Sequence, residues 1–161
     1  MIDALAAGIR LLVLDVDGVL TDGRLWFGPE GEALKAFHVR DGAGLKAVLQ
    51  AGIEVAIISG RRSAAVERRC AELGIRHLRQ GREDKAAALR ELLAEVGCRA
   101  DTAACVVDDT PDLPVMALVG LPIAVADAHP DVRAAARHVT QAAGGHGAVR
   151  EVCDLLLEAR L

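Results

Sequence analysis

The chain has 161 residues, of which 52% are hydrophobic and 26% charged, a balance that predicts a globular protein with a sizeable core and excludes intrinsic disorder. The net charge of −4 and the aromatic content of 2% disfavour a nucleic-acid partner, which needs basic surfaces and rings for base stacking. We find no apolar run of the roughly 20 residues that a membrane span needs and no signal-peptide pattern. We therefore expect a cytoplasmic protein with no membrane partner, and the four cysteines, which lack CxxC spacing, should be reduced.

Strand-like and helix-like segments alternate along the whole chain. In order, we predict a strand at 11–14, a β-hairpin at 24–27 and 33–38, a helix at 44–50, a strand at 54–58, a helix at 64–73, a strand at 75–78, a helix at 85–96, a strand at 103–107, a helix at 113–119, a strand at 121–125, a helix at 131–136, a strand at 138–140 and a helix at 148–159. This alternation is typical of a parallel sheet wound with helices. It predicts an α/β fold in a single domain over residues 1–161, with no separate cap domain.

Two aspartates, Asp15 and Asp17, follow the first predicted strand, and Gly18 comes directly after them. In open α/β sheets the ligand site lies at the carboxyl ends of the parallel strands. Carboxylates at such a place cost desolvation free energy unless a cation or hydrogen bonds compensate them. The pair therefore either holds a hard metal ion or merely caps a turn.

Further polar residues stand at the same predicted edge of the sheet. Ser59 follows the second strand, Lys85 opens the helix before the fourth strand, and Asp108, Asp109 and Asp112 follow the fourth strand. Together they supply the nucleophile, the proton-transfer group and the charge neutralisation that phosphoryl transfer needs. Oxygen ligands favour Mg²⁺, and no Cys/His cluster favours zinc. Asp109 is either a neighbour of the metal or simply exposed.

These segments resemble the four short motifs of the haloacid dehalogenase (HAD) superfamily of phosphatases. The matches are Asp15-Val16-Asp17-Gly18-Val19-Leu20-Thr21, then Ser59, then Lys85, then Asp108 with Asp112. The resemblance implies a HAD-like Rossmannoid sheet with a small β-hairpin flap after its first strand. It also implies that Asp15 attacks phosphorus to form an aspartyl-phosphate. Asp17 would protonate the leaving alkoxide and then deprotonate the hydrolytic water.

The resemblance also assigns the remaining motif residues. It implies that Mg²⁺ is held by the Asp15 side chain, the Asp17 carbonyl and Asp108, while Ser59 and Lys85 bind the transferring phosphoryl group. Asp112 would support the water shell of the metal and orient Lys85. The sequence departs from the superfamily at Val107, because a glycine usually precedes the aspartates of the fourth motif.

Within the superfamily the chain resembles the 3-deoxy-D-manno-octulosonate 8-phosphate (KDO 8-phosphate) phosphatase family along nearly its whole length. The matching pieces are at 20–23, 40–42, 44–46, 58–61, 112–116, 126–130 and 144–154. The family implies hydrolysis of a sugar-acid phosphate in the synthesis of a lipopolysaccharide precursor. It also implies substrate contacts from Thr21, Lys46, Gly60 and Arg61, with Arg61 binding the carboxylate of the substrate. His129 either forms a turn or supports the site.

Quaternary structure follows from the hairpin and the glycine-rich tail. We expect a homo-oligomer, a tetramer, in which apolar hairpin residues such as Trp26 and Phe27 meet and residues 144–150 reach a neighbouring site. The alternative is that Trp26 folds back onto its own core.

Two rival functions also stay open: a phosphatase for a related nine-carbon sialic-type acid phosphate, and a catalytically silent oligomerisation domain.

Overall fold

The computed structural model describes residues 2–161. Its elements in chain order are α1 Ile2–Ala7, β1 Leu11–Leu14, β2 Trp26–Gly28, β3 Gly31–Leu34, α2 Val39–Gln50, β4 Glu54–Ile58, α3 Ala64–Leu73, β5 His77–Arg79, α4 Lys85–Val96, β6 Ala103–Val107, α5 Leu113–Met116, β7 Leu121–Ala124, α6 Pro130–Ala135, β8 His138–Val139 and α7 Ala148–Glu158. Two short 3₁₀ helices, Ala100–Thr102 and Thr110–Asp112, precede β6 and α5. Among these residues, every helix is too short or too polar to cross a bilayer.

Six parallel strands form the sheet that positions the site, in the order β5-β4-β1-β6-β7-β8. β1 is central and pairs with β4 on one side and β6 on the other. Both β1 and β6 are buried at every position, so they lack the alternation of a half-exposed strand. Helices α1, α2 and α7 pack together, as do α4, α5 and α6. This confirms the predicted α/β fold with a parallel sheet.

The hairpin stands outside this sheet. β2 and β3 pair only with each other, as an antiparallel ribbon around the turn at residues 29–30. The prediction of a hairpin is confirmed, although residues 35–38 are not part of its second strand. No second compact unit that could serve as a cap domain is present in residues 2–161.

The largest difference from prediction is the start of α2, which begins at Val39 instead of residue 44. The His38 side chain caps the helix by accepting a hydrogen bond from the Arg40 N–H. Gly44, the first residue of the predicted helix, lies inside α2, where a Cβ atom would come within 2.9 Å of Cys153 on α7. A glycine at this position therefore lets α2 and α7 pack closely. The bounds of β5 and α5 also differ from the prediction, and those of β7, α6, β8 and α7 differ by one residue at one or both ends. Helix α1 was not predicted.

Candidate active site

A cleft of about 530 Å³ opens at the carboxyl ends of β1, β4 and β6. The sheet order places β1 between the other two strands, so the polar residues that follow all three strands meet there. Eight of the ten predicted site residues line the cleft: Asp15, Asp17, Ser59, Gly60, Arg61, Lys85, Asp108 and Asp112. The two that do not are Thr21 and Lys46.

Three carboxylates converge at the floor of the cleft. Asp15, Asp108 and Asp112 each offer a carboxylate oxygen, and these oxygens lie within 4.8 Å of one another. The Asp15 side chain is only 12% exposed, and its Oδ1 accepts a hydrogen bond of 2.8 Å from the Val16 N–H. Burial, with mutual repulsion, raises the pKa of Asp15 and of Asp108 to about 6 and that of Asp112 to about 7.

A single ammonium group faces these carboxylates. Lys85, the first residue of α4, lies 2.7 Å from Asp112 Oδ1 and 3.3 Å from Asp15 Oδ1 through its Nζ. Burial by itself lowers the pKa of Lys85, but the charges of Asp15 and Asp112 outweigh it and raise that pKa. One positive charge against three carboxylates leaves this part of the cleft negative.

The donor set fits a divalent cation with hard ligands. Its carboxylate oxygens are close enough to share one ion, and the single ammonium group of Lys85 faces three carboxylates, so it can balance their charge only in part. Mg²⁺ is bound in this way, by one or two carboxylates together with water and phosphate oxygens. Asp17 does not contribute its carboxylate to this cluster, which leaves its main-chain carbonyl for the predicted role.

Gly18 allows the loop after β1 to lie close to the Asp108 carboxylate. It has a φ of +85°, and a Cβ atom at this position would overlap the Asp108 carboxylate. Val107, which replaces the usual glycine, is buried as the last residue of β6 and pairs with Ala124 of β7. The space for the Asp108 carboxylate is thus supplied from the β1 side, so Val107 does not keep Asp15 and Asp108 apart.

Asp17 faces the hairpin instead of the carboxylate cluster. Its Oδ1 accepts a hydrogen bond of 2.7 Å from Lys35 Nζ, and Arg61 Nε lies 3.8 Å from its Oδ2. Lys35 also contacts Glu32, with 3.1 Å between Nζ and Oε2. Neither Lys35 nor Glu32 was predicted from the sequence. Their spacing of three residues across the start of the predicted strand at 33–38 was the only local signal.

Several predicted residues serve the loops around the cleft. Ser59 is 4% exposed, and its Oγ accepts a hydrogen bond of 3.2 Å from the Arg61 N–H. Thr21 Oγ1 accepts hydrogen bonds from the N–H groups of Gly18 and Gly23, each of 3.2 Å, and so holds the loop after β1. Lys46 is exposed on α2, outside the cleft.

The structure also places Asp109 and His129, for each of which the sequence allows two roles. Asp109 is exposed, and its side chain caps the following 3₁₀ helix by accepting from the Thr110 N–H. His129 caps α6 with its side chain, and its N–H donates a hydrogen bond of 2.8 Å to the Asp108 carbonyl. His129 therefore forms a turn and also fixes the backbone of Asp108.

Known proteins of the same architecture decide the family. A model of haloacid dehalogenase-like hydrolases matches residues 78–152. The 3-deoxy-D-manno-octulosonate 8-phosphate phosphatase KdsC of Escherichia coli K12 is 56% identical over 157 residues, covering 98% of this chain and 84% of that protein. The chain belongs to the KDO 8-phosphate phosphatase family.

Solved structures of this phosphatase family agree with the whole chain. The Yersinia pestis phosphatase has a TM-score of 0.97 at 53% identity and covers 99% of this chain and 86% of its own. The Moraxella catarrhalis phosphatase, solved in complex with magnesium ion, phosphate ion and KDO, has a TM-score of 0.96 at 45% identity. It covers 99% of this chain and 91% of its own.

The hairpin and residues 144–150 are the two segments from which an oligomer was predicted. Trp26 is 48% exposed and Phe27 is 60% exposed, so Trp26 does not fold back onto the core of its own chain. Residues 144–150 contact their own chain, and their reach to a neighbouring site stays a prediction. Gly145 N–H donates to the Val19 carbonyl at 3.0 Å, and the N–H of Arg150 donates to Asp41 at 2.9 Å. The tail therefore packs against the loop after β1 of its own chain.

Proposed function

We propose that this protein is a Mg²⁺-dependent phosphomonoesterase that hydrolyses KDO 8-phosphate to KDO and phosphate. The observation that carries the proposal is the cluster of three carboxylates beside one ammonium group at the sheet edge. The substrate comes from the family, whose Moraxella catarrhalis member was solved with magnesium, phosphate and KDO. The intact cluster also argues against a catalytically silent domain, which has no need of it.

Asp15 is the proposed nucleophile. Its carboxylate oxygen attacks phosphorus, the bond from phosphorus to the sugar oxygen breaks, and an aspartyl-phosphate forms on Asp15. The position at the end of a fully buried strand fixes the carboxylate for in-line attack. Lys85 Nζ, 3.3 Å from Asp15 Oδ1, offers a positive charge to the incoming phosphoryl oxygens.

Asp17 is the proposed proton-transfer group. It gives a proton to the leaving sugar alkoxide and later takes one from the water that attacks the aspartyl-phosphate, which releases phosphate and restores Asp15. Asp17 lines the same cleft as Asp15, but its carboxylate is held apart by the hairpin. One carboxylate is thus available for nucleophilic attack and the other for proton transfer.

The remaining residues bind and neutralise charge. Ser59 and Lys85 would bind the phosphoryl group, and Asp112 orients Lys85 through the contact of 2.7 Å. Mg²⁺, held by the Asp15 side chain, the Asp17 carbonyl and Asp108, would neutralise charge that develops on the phosphoryl oxygens.

Arg61 is the proposed partner of the substrate carboxylate. Its side chain is 44% exposed at the hairpin side of the cleft, and its guanidinium lies over the Phe27 ring. A planar guanidinium binds a carboxylate through two parallel hydrogen bonds. Substrates that lack a carboxylate should therefore bind less well than sugar-acid phosphates.

Phosphate release from a panel of substrates tests this function. The panel contains KDO 8-phosphate, a nine-carbon sialic-type acid phosphate and a sugar phosphate without a carboxylate, each assayed with Mg²⁺ and with EDTA. We expect Mg²⁺-dependent turnover that is fastest for KDO 8-phosphate, and Arg61→Ala should raise KM only for the two acids. Faster turnover of the nine-carbon acid would transfer the assignment to that substrate, and no turnover would reject it.

We also propose that the active form is a homo-oligomer, a tetramer, in the cytoplasm. The support for the oligomer is the exposed apolar hairpin, where Leu25, Trp26, Phe27 and Leu34 are each 42–60% exposed. The four free thiols support a reducing compartment. Light scattering on the intact protein and on a Trp26→Asp variant tests the assembly. A wild type that is monomeric at assay concentration would reject it.

A further inference from the structure

The Lys35 side chain is buried although it follows a strand whose last two residues are exposed. It is only 3% exposed, and its Nζ lies 2.7 Å from Asp17 Oδ1 and 3.1 Å from Glu32 Oε2. A lysine at the end of a small surface hairpin ordinarily extends its ammonium group into water. Burial of this ammonium is therefore favourable only because two carboxylates receive it.

The carboxylates around Lys35 are themselves anchored to a third segment. Glu32 Oε1 accepts a hydrogen bond of 2.7 Å from Ser63 Oγ, and Ser63 caps the first turn of α3. Arg61 completes the group, with its Nη2 3.9 Å from Glu32 Oε2 and its Nε 3.8 Å from Asp17 Oδ2. Two positive and two negative side chains thus join the hairpin, the loop after β1 and the loop after β4.

The charges in this group balance, in contrast to those around Asp15. The hydrogen bonds from Ser63 and Lys35 outweigh the effect of burial and lower the pKa of Glu32, so Glu32 is a carboxylate that holds Lys35 in place. Lys35 in turn occupies Oδ1 of Asp17. The geometry leaves Oδ2 as the Asp17 oxygen that is free of a close hydrogen bond.

We propose that Lys35 is a positioning residue for Asp17. By holding Oδ1 it fixes the rotamer of the carboxylate, so that Oδ2 can exchange a proton with the leaving oxygen and with the hydrolytic water. The hairpin then supplies part of the catalytic geometry and is more than an assembly surface. This inference rests on the proposed function, because it assigns Asp17 the proton transfer.

The leaving group of the substrate provides the kinetic test. A sugar alkoxide needs a proton to leave, whereas p-nitrophenolate does not. Loss of acid assistance therefore slows departure of the sugar alkoxide and leaves departure of p-nitrophenolate unchanged. Lys35→Met should lower the single-turnover rate for the sugar-acid phosphate by about 10²-fold, the size expected when a catalytic group is misplaced by about 1 Å. The burst of p-nitrophenolate from p-nitrophenyl phosphate should stay close to the wild-type value.

Three variants separate positioning from general damage. Lys35→Arg keeps the positive charge and should restore most of the rate, and Lys35→Met/Glu32→Gln removes the buried charge that Lys35→Met leaves without its partner. Glu30→Gln is the matched control for Glu32→Gln, because it makes the same change at the exposed tip of the hairpin, and it should leave the single-turnover rate unchanged. An equal loss with both substrates, or a rise in KM without a change in rate, would overturn the proposal.

A crystal structure of the Lys35→Met/Glu32→Gln variant gives a second measurement that does not depend on activity. We expect the Asp17 carboxylate to leave its wild-type position or to occupy more than one rotamer. A carboxylate that stays in place would reject the positioning role, even if the enzyme is active. Absence of turnover in the wild type, by contrast, would reject the proposed function and leave the crystallographic result to decide on Lys35.

Discussion

The two sides of the cleft differ in how far positive side chains balance the charge of their carboxylates. On the carboxylate side, formed by Asp15, Asp108, Asp112 and Lys85, three acids face one ammonium group. On the hairpin side, formed by Asp17, Glu32, Lys35 and Arg61, two acids face two cations. The first side has an excess of negative charge, and the second is neutral.

This difference in charge balance gives Asp15 and Asp17 different functions, although in the sequence they are simply two aspartates close together. An excess of buried negative charge creates a place for a divalent cation, because the cation neutralises the negative charge that Lys85 leaves uncompensated. The cation and Lys85 together can then bind the anionic phosphoryl group. A balanced group has no excess of charge, and its ion pairs hold the Asp17 carboxylate in place. Asp15 and Asp17, two residues apart, thus acquire different chemistry from the segments that pack against them.

Removal of the nucleophile should have the largest effect. Asp15→Asn keeps nearly the same shape, so the fold should be retained, but a neutral amide cannot attack phosphorus and turnover should be abolished. Phosphate release by the purified variant, with circular dichroism as the control for folding, measures this. Activity near the wild-type value would show that the carboxylate side does not supply the nucleophile.

Asp17→Asn should be less severe than Asp15→Asn but still large. We expect a loss of about 10²–10⁴-fold in kcat for the sugar-acid phosphate, the usual contribution of general acid–base catalysis. Single-turnover kinetics with the sugar substrate and with p-nitrophenyl phosphate checks the acid role, because it measures formation of the aspartyl-phosphate separately from its hydrolysis and the aryl leaving group needs no proton. If the two substrates lose the same factor in the first chemical step, Asp17 is not the acid.

Metal affinity should distinguish two adjacent aspartates. Asp108→Ala should weaken Mg²⁺ binding by more than roughly 100-fold. Loss of a residue that only hydrogen-bonds to a metal ligand already lowers metal affinity by about 10–100-fold, and Asp108 is a proposed ligand itself. Asp109→Ala is the matched control and should change little, since that side chain is exposed and caps Thr110. Calorimetric titration of both variants measures the difference, and equal effects would mean that the ligand is the wrong aspartate.

The smallest predicted effect is on stability as a function of pH. The pKa values of Asp15, Asp108 and Asp112 are raised to about 6–7 from ordinary values near 4, so folding favours their protonated forms. In EDTA, stability should therefore fall as pH rises from about 5 to about 8, by a combined penalty on the order of 3 kcal/mol. Melting temperatures should fall by roughly 5–10 °C over that range.

Mg²⁺ provides the control for the pH effect. It should raise the melting temperature more at pH 8 than at pH 5.5, because it binds the ionised carboxylates. Asp108→Asn should flatten the pH dependence measured in EDTA. A chelated protein that becomes more stable as pH rises would contradict the excess of negative charge assigned to the carboxylate side.

Elements with strong local signals were predicted well from the sequence. Helix α4 has the predicted bounds, since Asp84 caps its start and Gly97, at a φ of +72°, ends it. Helix α2 was predicted too short because its first turns depend on distant contacts. Asp41 of α2 is held by the Arg150 N–H, a contact between residues 109 positions apart.

The candidate site shows the same limit. Asp15, Asp17 and Asp108 could be found because they follow apolar strands and match known motifs. Lys35 and Glu32 belong to no such motif, and their partners Asp17 and Ser63 lie 18 and 31 residues away in the chain. Only the packing of the hairpin against two loops brings them to the site. The sequence likewise did not show that Gly18 leaves space for the Asp108 carboxylate, which resolves the departure at Val107.

Chemical identification of the phosphorylated residue tests the assignment of the two aspartates most directly. Asp17→Asn with p-nitrophenyl phosphate and Mg²⁺ should form the aspartyl-phosphate normally and hydrolyse it slowly, so the intermediate accumulates. Borohydride reduction after rapid quenching converts an acyl phosphate to an alcohol, and peptide mass spectrometry locates it. We predict homoserine at position 15, absent from Asp15→Asn/Asp17→Asn. Homoserine at another aspartate, or none while nitrophenolate is released, would contradict the account.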